Sequence, residues 1–178
     1  MPLAMLLKKE MAFYVQRHGK LRIGTVYFGG GTPNCLSSAH YAELFEALHT
    51  YFYISPTAEI SMEMNPELVT PSFLSHVKSL GLSRVSLGGQ SFIDSELQFL
   101  GRHHSASKTK EAVALIRESG LLNYNIDLIF SLPNSNLDTL KFNLDAVLSL
   151  SPTHLSLYSL SIEKGTAFEK NGVSPLIQ

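Results

Sequence analysis

The sequence predicts an α/β domain with a parallel sheet, closed into part of a barrel or wound on both faces. Three observations carry that prediction. Short β-branched and aromatic runs alternate with helical stretches of amphipathic period. No two-residue hairpin turn joins any pair of these runs, so right-handed crossovers are expected. Gly29 to Thr32, Glu63, Gln90 and Asp127 all fall at or near the carboxyl ends of successive runs, where a barrel brings its strand ends to one pocket. That placement favours the barrel.

The first element expected is an amphipathic helix from about Leu3 to Arg17, with Leu3, Leu7, Met11 and Tyr14 on one face and Gly19 as its stop. Its apolar face needs a sheet, and the strand Ile23 to Phe28 is the nearest. Thr25 to Pro33 then reads as a buried strand that ends in three glycines and Thr-Pro. Consecutive glycines contribute no packing, so their use is close backbone approach and access to positive φ. The loop therefore reads as either a tight turn or a binding loop for a polar small ligand.

Ser37 or Ser38 caps a second helix, with Tyr41, Leu44, Phe45 and Leu48 as its buried stripe and an end near Tyr51. Glu59 to Met64 is a strand closed by Asn65-Pro66, since the residue before proline avoids helix. Thr70-Pro71 starts a helix that buries Phe73, Leu74, Val77 and Leu80 before Gly81. Arg84 to Gly88 is the next strand, followed by a short helix near Asp94 to Leu100 and a loop with Arg102, His103 and His104. Ser107 opens a helix with Ala112, Val113 and Ile116 inward. Tyr124 to Phe130 is a strand. A helix from Leu137 to Leu148, burying Leu137, Leu140, Leu144, Val147 and Leu148, leads past Pro152 to a last strand, His154 to Leu160. Glu163 to Gln178 reads as irregular. The strands look nearly continuous in apolar residues, as in a sheet buried on both faces.

Composition narrows the function. At 178 residues, 44% hydrophobic and 16% charged, the chain is one domain's worth of sequence with a sizeable core. A net charge of −1 without any single-sign block gives no field to attract nucleic acid. The start has too short an apolar run to be a signal peptide or to span a membrane, and a cytoplasmic setting is expected. The single Cys35 excludes an internal disulfide and cannot alone hold a thiolate-ligated metal or cluster.

Each polar candidate has a plain alternative. Glu63 is either a ligand or a salt-bridge partner of Arg84 or Arg102. Gln90 either faces a ligand or satisfies loop backbone. Asp127, flanked by Ile126 and Leu128, needs a partner or a position at the strand's mouth. His103 and His104 lack the spacing of a helical metal pair and read as solvated loop residues. His154 reads as a core or strand-end histidine, and Cys35 as a small buried hydrophobe in preference to a reactive thiol.

Six motifs occur in order: Tyr-Phe-Gly-Gly-Gly-Thr-Pro at 27 to 33, Glu-Met-Asn-Pro at 63 to 66, Arg-Val-Ser-Leu-Gly-Gly-Gln-Ser-Phe at 84 to 92, Leu-Gly-Arg-His-His at 100 to 104, Asn-Ile-Asp-Leu-Ile-Phe-Ser-Leu-Pro at 125 to 133, and Leu-Tyr-Ser-Leu-Ser-Ile-Glu-Lys-Gly-Thr at 157 to 166. Together they resemble the radical S-adenosylmethionine (SAM) proteins of the oxygen-independent coproporphyrinogen III oxidase family. The final motif is closer to its heme-chaperone branch.

The resemblance implies a partial (β/α) barrel holding SAM at the carboxyl ends of its strands. By position, Gly30, Gly31 and Thr32 would meet the methionine end, and Glu63, Gln90, Arg102 and Asp127 the family's other cofactor-contacting positions, with a further contact near Leu160 or Ser161. It also implies heme or a porphyrinogen as partner. The family's CxxxCxxC loop, whose thiolates hold a [4Fe-4S] cluster, its first strand and its carboxyl-terminal domain have no counterpart in this sequence. Ser131 stands where the family has glycine. Residues 1–178 are thus expected to be a single incomplete barrel domain, inactive alone and prone to self-association through an open edge. Two further readings stand beside a protein of heme metabolism: a non-catalytic binding module for SAM or another small molecule, and a truncated product without function.

Overall fold

The computed structural model describes residues 3–176. Five parallel strands, β1 (Arg22–Phe28), β2 (Tyr53–Met64), β3 (Arg84–Gln90), β4 (Tyr124–Phe130) and β5 (His154–Ser159), pair in strict chain order and curl into a half-barrel. A doubly wound sheet reverses its strand order; this one does not, which decides for the barrel. Among the described residues seven α-helices precede, connect or follow these strands: α1 (Leu3–His18), α2 (Ser38–Tyr51), α3 (Pro71–Leu80), α4 (Asp94–Phe99), α5 (Ala106–Glu118), α6 (Leu137–Ser149) and the short α7 (Ala167–Lys170) in the stretch expected to be irregular.

Local chemistry sets most helix ends. Thr70 Oγ1 accepts from the Phe73 amide and Pro71 occupies the first turn of α3, while Gly81, at φ 117°, takes the left-handed conformation that ends it. Asn136 and Thr139 form a reciprocal capping box on α6. Ser105, two residues before the expected Ser107, caps α5.

The core lies between the convex side of the sheet and the helices. Met62, Val85, Leu87, Ile126 and Leu128 point outward from the strands onto Leu44, Leu74, Val77, Ala112, Val113 and Ile116. Here the expectation of strands apolar on both faces is corrected. The convex residues are apolar; the alternate ones are mostly polar, and Glu59, Ser61 and Glu63, Ser86, Asn125 and Asp127, His154 and Ser156 form a concave face linked by hydrogen bonds, with Ile129 as an apolar member at its mouth. Ser61, Ser86 and Asn125 are buried, and it is their hydrogen bonds to one another and to neighbouring side chains that make polar residues tolerable there.

Two helix faces also differ from expectation. On α1, Leu3 and Tyr14 are exposed; Ala4, Leu7, Met11 and Val15 turn inward toward α2 rather than onto β1, and Lys8 pairs with Glu43 at 3.8 Å. On α6 the inward residues are Leu140, Asn143, Leu144 and Val147, with Leu137 75% exposed and Leu148 exposed. In both, several apolar stripes fit a 3.6 period, and the angle of approach to the neighbouring element selects one. β2 also begins earlier than expected, at Tyr53, with residues 55–58 looped out between its pairings to Ile23 and Thr25.

Candidate functional site

At the carboxyl ends of β1 to β5 lies a cleft of about 360 Å³. Gly31, Thr32, Glu63, Gln90, Arg102 and Asp127 line it, with Asn65, Ser86 and Tyr158 among them. Six of the seven residues singled out from the sequence therefore meet there. The seventh, Gly30, is not among the lining residues: it is exposed on the same loop, and its amide donates to Glu63 Oε2 at 3.1 Å.

The glycine loop is placed by contacts at both ends. Gly29 leaves β1 so close to its neighbours that an added Cβ would stand 2.5 Å from the Tyr27 ring and 3.2 Å from Glu63 Oε1. Gly30 and Gly31 take φ of 81° and 60°, which a side chain would resist. Beyond them, Asn34 donates through Nδ2 to the Asn65 carbonyl at 3.1 Å and accepts the Asn65 amide on Oδ1 at 3.0 Å. The buried Tyr41 hydroxyl donates to the Pro33 carbonyl at 2.7 Å; burial pushes its pKa up to about 12. Neither Asn34 nor this use of Tyr41 was expected from the sequence. Cys35, read as buried, is exposed: it sits on the outer side of the short 3-10 turn Pro33–Cys35, whose inner side is filled by Pro33 and Asn34.

Glu63 pairs with neither Arg84 nor Arg102 among the described residues. Its Oε1 accepts from the Tyr27 hydroxyl at 2.7 Å, which with the Gly30 amide orients the carboxylate. The Tyr27 hydroxyl is driven up to about 12, first by partial burial and then by the hydrogen bond and charge of Glu63. Asp127 rises from the ordinary carboxyl value chiefly because it is desolvated, with the Glu63 charge adding to the effect. Asn125 Nδ2, 2.6 Å from Oδ1, and Ser86 Oγ, 3.5 Å from Oδ2, oppose that rise by donating to the charged form.

Asn125, 1% exposed, is the hub beneath the cleft. It also donates to Ser86 Oγ at 2.8 Å, and its Oδ1 accepts from His154 Nδ1 and Ser156 Oγ at 2.7 and 3.1 Å. His154 is thus a strand-end residue, exposed and bound to the concave row. Polar residues two apart within a strand, as in Glu59-x-Ser61-x-Glu63 on β2 and Asn125-x-Asp127 on β4, carried this signal in the sequence.

Gln90 is buried at φ 65°, and Arg102 reaches the cleft from the loop after α4 with a buried Nε that has no partner among the described residues. His104, read as solvated, is buried: its Nε2–H donates to the Gly89 carbonyl at 3.2 Å, and burial lowers its pKa. Its neighbour His103 is exposed as expected.

The arrangement offers two carboxylates, one guanidinium and peptide groups around an open cleft, a set suited to a zwitterionic or cationic small molecule. Among the described residues no cluster of His, Cys, Asp and Glu is arranged to hold a metal ion, and no helix is long and apolar enough to cross a membrane.

Residues 4–146 match the model of the Radical SAM superfamily. The heme chaperone HemW of Haemophilus influenzae is 38% identical over 147 residues, covering 83% of this chain and 38% of that protein. HemW of Mycobacterium tuberculosis H37Rv is 34% identical over 164 residues, covering 92% and 42%. Among solved structures, the coproporphyrinogen III oxidase HemN of Escherichia coli, described as a radical SAM enzyme, superposes with a TM-score of 0.84 at 27% identity over 94% of this chain and 39% of that one. The archaeal Elp3 of Methanocaldococcus infernus, at 20% identity and TM-score 0.73, shares the fold. The chain spans about two fifths of the length of these curated relatives.

Proposed function

The chain belongs to the radical SAM superfamily, and on that premise we propose that its cleft binds S-adenosylmethionine as the cofactor-holding part of a heme-chaperone-like protein of heme or porphyrin metabolism. The observation that carries this reading is the convergence of Glu63, Asp127 and Arg102 on one cleft beside the glycine turn. SAM presents a sulfonium, an ammonium and a carboxylate. The buried, unpartnered Nε of Arg102 marks a guanidinium with donors to spare for that carboxylate. The cationic groups fall to Glu63 and Asp127.

Gly31 and Thr32 provide peptide and hydroxyl groups at the wall, and the Gly30 amide, committed to Glu63, orients an acid instead of touching the ligand. Gln90 adds an amide that donates and accepts. What SAM supplies in the superfamily is a sulfonium carbon–sulfur bond open to reductive cleavage, with the electron coming from a [4Fe-4S] cluster. The residues present do not fit that cluster: it takes several thiolates, and this sequence has one cysteine, on the outside of its turn.

Heme or a porphyrinogen is the partner this reading carries over from the relatives, and a cytoplasmic setting goes with it. Self-association is part of the same reading, since both terminal strands of the sheet present large exposed side chains, Tyr27 on β1 and Leu157 and Tyr158 on β5.

Titration calorimetry of the chain with SAM tests the cleft. Saturable heat is expected, and its absence at high ligand concentration overturns the reading. A separate heme titration followed by absorbance tests the chaperone assignment, with a shifted Soret band expected.

A further inference from the structure

The loop that carries Gln90 into the cleft is a strained turn, and the residue that fastens it comes from the loop that carries Arg102. The Gly89 carbonyl accepts the Ser91 amide at 2.8 Å across Gln90, which sits at φ 65°. A three-residue closure around a non-glycine residue at positive φ is a γ-turn of the rare, strained kind. Such a turn persists only when its surroundings overdetermine it. Crowding does part of this: an added Cβ on Gly88 would stand 3.0 Å from Gln90 Nε2, and one on Gly89 3.0 Å from Ile126 Cγ2.

The other part is a second donor on the same carbonyl. His104 Nε2 lies 3.2 Å from the Gly89 oxygen, and a carbonyl only accepts, so the imidazole is in its Nε2–H form. His104 is 6% exposed and follows Arg102 by two residues. The Arg102 amide is itself tied to the Leu97 carbonyl at 2.9 Å, closing the end of α4.

We propose that His104 is a positioning residue of the cleft: its bond to the Gly89 carbonyl locks the Gln90 turn to the Arg102 loop, so that both side chains are presented together to one ligand. The ligand named is SAM, and in that respect the inference rests on the function proposed above. Burial favours the neutral ring that this bond uses, and Glu67 and Arg102, the charged groups facing it, act in opposite directions.

Three measurements on the 178-residue chain test this. In unliganded protein, nitrogen NMR of the ring must show the Nε2–H tautomer; the Nδ1–H form overturns the proposal without any variant. In His104→Phe, which keeps a ring and removes the donor, amide exchange at Ser91 should accelerate about tenfold, the equivalent of one hydrogen bond. His104→Gln, which retains an N–H, should restore most of the protection. SAM affinity measured by calorimetry should follow the same order, with a loss of about tenfold in His104→Phe and recovery in His104→Gln. Unchanged exchange in His104→Phe, or equal losses in both variants, overturns the fastening role. Accelerated exchange in His104→Phe together with no SAM heat from the unmodified chain supports the fastening and overturns the SAM reading.

Discussion

The Asn34 side chain binds the main chain of Asn65 through two bonds, 3.1 and 3.0 Å long, so that the loop after β1 is held to the end of β2 as if by one more rung of the sheet. Thr32 and Glu63, which both line the cleft, stand within two residues of this clasp. Asn34 is buried, so neither bond competes with bulk water. Asn34→Ala is expected to cost about 1–3 kcal/mol of stability, because the Asn65 amide and carbonyl both lose a partner. Asn34→Asp keeps the acceptor alone and should fall between. Urea unfolding of the three proteins checks the order.

Glu63 and Tyr27 share a proton-sensitive contact. With the Tyr27 hydroxyl driven to about 12 partly by Glu63, Glu63→Gln should bring it down toward the ordinary tyrosine value of about 10. Tyr41, also at about 12 but through burial, should not move. Carbon NMR of labelled tyrosine rings, assigned with Tyr27→Phe, follows both.

Asp127 sits at a cost to the fold. Its pKa is raised in the folded state, first by desolvation, so the charged form is disfavoured there relative to the unfolded chain. Its contribution to stability is complete below the unfolded carboxyl value of about 3.9 and is lost as pH rises through the raised folded value. Asp127→Asn, which preserves an acceptor for Asn125, should therefore raise the melting temperature at neutral pH, with the gain shrinking toward pH 4. The same variant should weaken SAM binding by about 10- to 100-fold, the range for loss of a charged hydrogen-bond partner. Melting curves across pH, set beside calorimetry, separate the two effects.

Ser131, at φ 61° and buried, occupies backbone that a side chain resists. Its carbonyl accepts the Leu176 amide at 3.0 Å, so the conformation is held from outside the turn. Ser131→Gly should stabilise the chain by about 1 kcal/mol, the usual cost of the left-handed conformation for a residue with a Cβ. Ser131→Ala gives no such relief. Thermal unfolding of both variants provides the check.

Much of this molecule was legible in its one-dimensional pattern. Thr70-Pro71 and Gly81 bounded α3 because caps and positive φ are local requirements, readable without knowing the fold. The alternation of strand and helix sufficed for the parallel sheet, since crossovers are the connection such spacing permits. Gly31, Thr32, Glu63, Gln90, Arg102 and Asp127 could be grouped beforehand because barrel strands deliver their carboxyl ends to one place.

What failed was whatever depended on a partner distant in sequence. Leu137 and Leu148 fitted a helical stripe as well as Asn143 did, yet Asn143 is the buried one, because its amide meets Phe92 N at 2.6 Å and Glu96 Oε2 at 2.9 Å from the loop and helix after β3.

The amino-acid order alone determined which segments coil, which extend, and that their chemistry-bearing ends face one way, since these follow from backbone sterics and from the periods of apolar residues. Tertiary structure alone decided that His104 is inside and Cys35 outside, that the concave face is a hydrogen-bonded polar row hubbed on Asn125, and that Asn34 clasps Asn65. A polar side chain far along the chain is satisfied only by the neighbour that folding brings to it, and composition does not name that neighbour.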